Sequence, residues 1–213
     1  MIKLIIPKKN ININILIFYD LETTRLNVFH NILTEICCIK QIPLDFNDQT
    51  FTTLINPEAE IPEIVTKITG IDKSMVIDKP TFNQISDQLL TFIHNNASTD
   101  ETIYFVAHNN DGFDKLVLTS HFKRRGIDIK QYKWKFIDTL LLAKKTFPHF
   151  KKFNLKSLCE QLSIPTLNAH RAEEDTKMLK NLYYRILDAI HLNSKISLDK
   201  LINNPEIVYN YIY

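Results

Sequence analysis

The sequence predicts an α/β domain on a mixed five-stranded sheet with helices on both faces, and three observations predict it. Residues 13–22 are apolar on both faces of a strand pattern. Two further strand patterns follow with no helix between them. Beyond about residue 100, strand and helix patterns alternate.

In 13–22, Ile13, Ile15 and Ile17 share one face while Leu16 and Phe18 share the other, as in a central strand covered on both sides. Residues 35–44 and 49–56 read as two more strands of a meander, which Pro57 ends. Helical signals follow over 62–69 and over 82–94. Residues 102–107 form a short apolar strand, 112–125 a helix and 133–137 a fifth strand. Helical patterns at 139–145, 155–162 and 172–190 complete the alternation.

The 213 residues, 45% of them apolar, suffice for one well-buried domain and are short for two. The domain is expected over 1–193, with 194–213 an appendix that packs on it or docks a partner. Only 3 glycines and 8 prolines occur, and no linker, repeat or low-complexity run divides the chain. Cys37, Cys38 and Cys159 have neither disulfide-framework nor zinc spacing and suit a reducing compartment. With no signal-peptide pattern and no membrane-length apolar span, an intracellular protein of cytoplasm or nucleus is expected. Between residues 115 and 156, twelve Lys/Arg face two acids, a local balance of +10 within a net charge of +2. A phosphate-binding face beside an acidic metal site would give that asymmetry; so would solvated loops and helix faces.

Four acids invite chemistry. Asp20 and Glu22 lie two apart at a strand end, so their side chains point the same way, at the rim of the core. Two buried acids this close resist joint ionisation, a cost that a bound Mg²⁺ removes. Asp114 lies just after an apolar strand, in the first turn of a helix. It complements the helix dipole there, and it also stands at the carboxyl end of a strand, where α/β sheets place their sites. Asp175 precedes a stripe of Met178, Leu179, Leu182 and Ile186, so it faces the core, unlike Glu173 and Glu174. An inward acid needs a partner, either a metal or a nearby Lys or Arg. His170 lies five residues earlier, about 140° away on a continuous helix, and is therefore placed on the loop entering it.

Taken in order, these residues resemble the DEDDh 3′→5′ exonuclease family of the ribonuclease-H-like superfamily. Its first motif resembles Phe18-Tyr19-Asp20-Leu21-Glu22-Thr23-Thr24, its second Ala107 to Asp114, and its third His170 with Asp175. Ile68-Thr69-Gly70-Ile71 and Ile137-Asp138-Thr139-Leu140 resemble accessory segments, and the likeness covers about residues 11–190. The spacing from His108 to Asp114 is similar to that of TREX-type enzymes, without their proline-rich insertion. Other features are similar to polymerase-proofreading exonucleases. Arg25 departs from the family, which commonly has a tight-turning glycine there.

The resemblance implies a ribonuclease-H-like sheet and hydrolysis of the terminal phosphodiester by water, assisted by two Mg²⁺ ions about 4 Å apart, with Mn²⁺ able to substitute. It implies that Asp20 bridges both ions, Glu22 and Asp175 complete the first, and Asp114 supports the second. His170 is then the general base, with an ordinary pKa near 6.5 that suits neutral pH. Leu21, Thr23, Thr24, Ile71, Asn109 and Arg25 are expected to contact the substrate, with Leu21 and Ile71 against the last base. The implied partner is a nucleic acid with a free 3′ end, DNA favoured over RNA, in proofreading, repair or DNA degradation. A polymerase or a second copy in a homodimer is a further possible partner; a membrane is not. The rivals are an exoribonuclease on the same fold and a silent nucleic-acid-binding module or polymerase accessory subunit.

Overall fold

The computed structural model describes residues 14–25, 32–41, 48–95, 97, 101–166 and 171–213. Five strands form one mixed sheet: β1 (Ile15–Thr23), β2 (Leu33–Gln41), β3 (Gln49–Leu54), β4 (Ile103–Ala107) and β5 (Trp134–Asp138), in the spatial order β3-β2-β1-β4-β5. β1 pairs antiparallel with β2 and parallel with β4; β2–β3 is antiparallel and β4–β5 parallel. This is the expected mixed sheet, with β1 at its centre.

The two faces of β1 seed two cores. Ile15, Ile17, Tyr19 and Leu21 pack against α3 (Phe82–His94) and α4 (Asp114–Arg124). Leu16 and Phe18 pack against α5 (Thr139–Thr146), α6 (Leu155–Gln161) and α7 (Ala172–Asn193). Cys37 and Cys38 divide between the two cores as adjacent strand residues must, and all three cysteines are free and buried. Trp134 and Phe136, at the foot of the basic segment, belong to the α3–α4 core.

Two short helices, α1 (Glu63–Thr69) and α2 (Lys73–Val76), connect β3 to α3. Gly70 closes α1 at φ 71°, a left-handed conformation that suits glycine. Lys40 is fully buried on β2 and its Nζ donates to the carbonyls of Phe92, Ile93 and Asn95, closing the C-terminus of α3. The final stretch forms α8 (Leu198–Asn203) and α9 (Pro205–Ile212). Leu201 and Val208 are buried in the α7-side core, where Leu198, Ile202 and Ile207 also pack. Glu206 holds Lys135 at 2.6 Å and accepts from the Tyr104 hydroxyl at 2.6 Å. Among the described residues no helix is long and apolar enough to cross a membrane.

Candidate active site

β1 delivers the first two acids. Asp20 stands opposite Cys37 and Glu22 opposite Glu35, on the face that Leu16 and Phe18 fill with core. The register shifts between Glu22 and Thr23, so the strand leaves the ladder just past the pair. Asp175 arrives from the first turn of α7, whose buried stripe of Met178, Leu179, Leu182 and Ile186 turns it inward. One carboxylate oxygen from each of Asp20, Glu22 and Asp175 lies within 4.8 Å of the others.

Asp114, the first residue of α4, is 4% exposed and does not lie within that distance of all three. Its charge nevertheless reaches them. Burial first, then the charge of Asp20, holds its carboxyl well above the usual range, with Asp138 and Glu22 adding to the effect. Burial likewise raises Asp20, followed by the charges of Asp175 and Glu35. Glu22 is raised by burial and by Asp20, Asp175 and Glu35, and Arg171 opposes the shift. Acids this close and this shielded from water ionise together only with a cation among them. Their oxygens are hard donors, so the residues present fit a divalent ion.

The loop before Asp114 is held by side chains behind it. Asn110, fully buried, donates from Nδ2 to the carbonyls of Phe105 (3.1 Å) and Ile137 (3.0 Å), bridging the ends of β4 and β5. Its Oδ1 accepts from the Tyr19 hydroxyl, which ties the loop to the residue beside Asp20. Asp138, 2% exposed, accepts from the backbone N–H groups of Asn109, Asp111 and Leu140 at 2.8–3.1 Å. His108 donates from Nε2 to the Phe153 carbonyl at 2.7 Å and meets Thr139 Oγ1 at 3.0 Å through Nδ1. Asn110→Ala removes three hydrogen bonds and strands the Tyr19 hydroxyl. It is expected to cost about 3 kcal/mol, or roughly 6–12 °C in Tm. A thermal melt checks this, and a shift under 2 °C would show that Asn110 is not the loop's anchor.

Beside the acids lies a groove of about 370 Å³ lined by Leu21, Glu22, Thr23, Thr24, Arg25 and Phe113 with the exposed side of α1. The side chains of Thr23 and Thr24 are already bonded to backbone: Thr23 Oγ1 donates to the Arg25 carbonyl at 2.7 Å and Thr24 Oγ1 accepts from Ile32 N–H at 3.2 Å. Arg25 is exposed at the groove's rim. Ile71 departs from expectation: it is fully buried and does not line the groove. Ile64 and Ile68, 65% and 46% exposed, line it from α1 together with the half-buried Val65. The one-turn stagger of α1 points Ile68 outward while Gly70 folds Ile71 under. Asn109 is exposed, with φ 63° in the left-handed region that asparagine tolerates. His170 lies outside the described residues.

The basic segment is divided in use. Lys115 is paired with Asp111, Arg125 with Asp87, and Lys135 with Glu206, while Lys145 donates to the Tyr211 carbonyl. Lys123, Lys130, Lys144, Lys151, Lys152 and Lys156 remain exposed.

Comparison with known proteins settles the family. The RNase T model, described as an exonuclease, matches residues 17–183. The chain belongs to the RNase T exonuclease family. Among similar exonuclease-family proteins, the PolC-type DNA polymerase III of Caldanaerobacter subterraneus subsp. tengcongensis is 30% identical over 82% of this chain and 12% of its own length. The DNA polymerase III epsilon subunit of Aquifex aeolicus is 28% identical over 80% of this chain and 79% of its own. A Staphylococcus aureus protein named 3′-5′ exonuclease DinG is 33% identical over 85% of this chain and 19% of its own. The chain thus spans only about an eighth to a fifth of the PolC-type and DinG relatives. In fold it is similar to E. coli exonuclease I in a complex with single-stranded DNA, with a TM-score of 0.71 at 17% identity over 89% of this chain and 43% of the other. The expected ribonuclease-H-like fold and exonuclease domain are borne out. Sequence reasoning missed Asn110 and Glu35, whose partners are distant in the chain, and Ile64, because a likeness of motifs does not show which side chains of α1 line the groove.

Proposed function

We propose that this exonuclease domain removes nucleotides from the 3′ end of DNA, releasing nucleoside 5′-monophosphates with the help of two Mg²⁺ ions, for which Mn²⁺ can substitute. One observation carries the reading: Asp20, Glu22 and Asp175 converge from a strand and a helix into one shielded acidic cluster, with Asp114 adjoining. When bound, divalent ions there supply the charge that draws in the phosphodiester and eases departure of the 3′-oxygen. Asp20, Glu22 and Asp175 are the residues that would hold them, with Asp114 in support. The groove takes the terminal nucleotide, its base on the apolar side chains of Leu21, Ile64 and Ile68 and its sugar near the Thr23 backbone. Arg25 at the rim is placed to meet a phosphate. The imidazole of His170 takes the proton from the attacking water.

Relatives named for DNA polymerase III and the exonuclease I complex with single-stranded DNA favour DNA as substrate. The epsilon relative, named as a polymerase subunit, favours a polymerase as partner. The exposed lysines between residues 123 and 156 would meet phosphates upstream of the cut. Incubation of 5′-end-labelled DNA and RNA strands with Mg²⁺ or chelator tests the reading. The expected result is a ladder shortening from the 3′ end of DNA, abolished by chelator. Faster degradation of RNA would support the ribonuclease rival, since the sugar site would then accept a 2′-hydroxyl. In the same assay His170→Ala should fold normally and lose at least about 100-fold in kcat. Near-wild-type turnover would remove His170 from the proton transfer.

A further inference from the structure

α7 must present Asp175 within its first turn, where a helix is least secure. The first N–H groups of a helix have no partner within it, and helix ends fray. Glu173, Glu174 and Asp175 all crowd that turn, and Asp175 also faces Asp20 and Glu22. Lys177 pairs with Glu173 and Glu174, whereas Asp175 shares the shielded space of Asp20 and Glu22 and depends on the start of the helix for its placement. The helix has no side-chain cap of its own, since Arg171 at the N-cap position makes none.

The cap comes from the sheet instead. Glu35 on β2 is 4% exposed and stands opposite Glu22 in the strand register. Its Oε2 accepts from the Ala172 backbone N–H at 3.1 Å, at the first residue of α7. The same carboxylate takes a two-pronged grip from Arg171, Nη2 to Oε1 at 2.7 Å and Nε to Oε2 at 3.2 Å. The Arg171 carbonyl then accepts from Asp175 N–H at 3.0 Å, carrying the restraint one turn onward. Bidentate arginine–carboxylate pairs fix orientation as well as distance.

We propose that Glu35 and Arg171 are positioning residues, a clamp between β2 and the start of α7 that sets the Asp175 carboxylate against Asp20 and Glu22. The clamp also occupies the Arg171 guanidinium, which would otherwise be free to turn toward the acids and compete with a cation. This inference rests on the metal-binding reading of the cluster. Its readout is binding of Mn²⁺ alone, measured by isothermal titration calorimetry on the whole chain without nucleic acid.

Wild type, Glu35→Gln, Arg171→Met and the double variant are compared. Each single variant is expected to bind Mn²⁺ roughly 10-fold more weakly while remaining folded at the assay temperature. The double variant should be no weaker than the weaker single one, because both changes open the same clamp. Arg171→Lys, which keeps the charge and loses the fork, should fall between wild type and Arg171→Met; it serves if the larger changes prevent folding. Unchanged Mn²⁺ affinity in folded variants, or losses that simply add, would overturn the clamp. A wild-type chain that bound no Mn²⁺ would instead sink the metal reading itself.

Discussion

Asp20→Asn is expected to reduce nucleotide release by more than about 1,000-fold and, in the same protein, to raise the melting temperature measured in chelator. The two effects share one cause. Asp20 is central to the acidic cluster, close to Glu22 and Asp175 and felt by Asp114. Without a cation its charge is a liability: it is shielded from water and faced by like charges. An amide of the same shape removes that repulsion, so the metal-free fold gains several degrees. It also removes the anionic oxygen, so Mg²⁺ should no longer raise the melting temperature appreciably. Few structural changes lose activity while gaining stability, and the combination separates a metal-site role from a packing role. Cleavage retained in Asp20→Asn, or a lower melting temperature in chelator, would contradict the assignment.

Much of this was legible in the sequence, and what was not has a common reason. The alternation along residues 15–21 placed Asp20 and Glu22 on one face, and the stripe from Met178 to Ile186 aimed Asp175 inward. Both are local periodicities, and α3 was delimited over 82–94 by the same kind of signal. Ile71 is buried because a left-handed glycine just before it reverses the chain, and a likeness of motifs does not show which isoleucine of that turn faces out. Lys40, Glu35 and Asn110 are polar residues whose burial only distant partners make tolerable: a helix end some fifty residues on, an arginine 136 residues on, and a tyrosine 91 residues back. No pattern within a window of the chain contains those partners. The acids of the cluster were therefore visible in sequence, and the residues that hold them in place were not.

The metal-free protein should lose stability as pH rises from about 6.5 to 8, and Mg²⁺ should cancel the loss. Burial and mutual repulsion push Asp20 up to about 8 and Glu22 up to about 9, whereas in the unfolded chain both revert to ordinary values near 4. Between those limits the folded state holds protons that the unfolded state has released, so each rise in pH favours unfolding. Burial lowers His94, His108 and His121, so their effect has the opposite sign. In the unfolded chain they are half-protonated at about 6.5 and mostly neutral above about 7.5, which confines that effect to the lower part of the window and leaves the acids to dominate its upper part. Lys40, lowered to about 8, stays mostly charged below that pH, and its effect has the opposite sign. Counting the coupled acids as a single net proton gives about 1.4 kcal/mol per pH unit, hence about 2 kcal/mol across the window, or roughly 4–8 °C. A bound divalent ion requires the carboxylates ionised, so the Mg²⁺-induced gain in Tm should grow over the same interval. Scanning calorimetry in chelator and in saturating Mg²⁺ measures both. A melting temperature that is flat or rising in chelator over this interval would mean that the acids are already ionised and apart, and would remove the electrostatic ground for a cation among them.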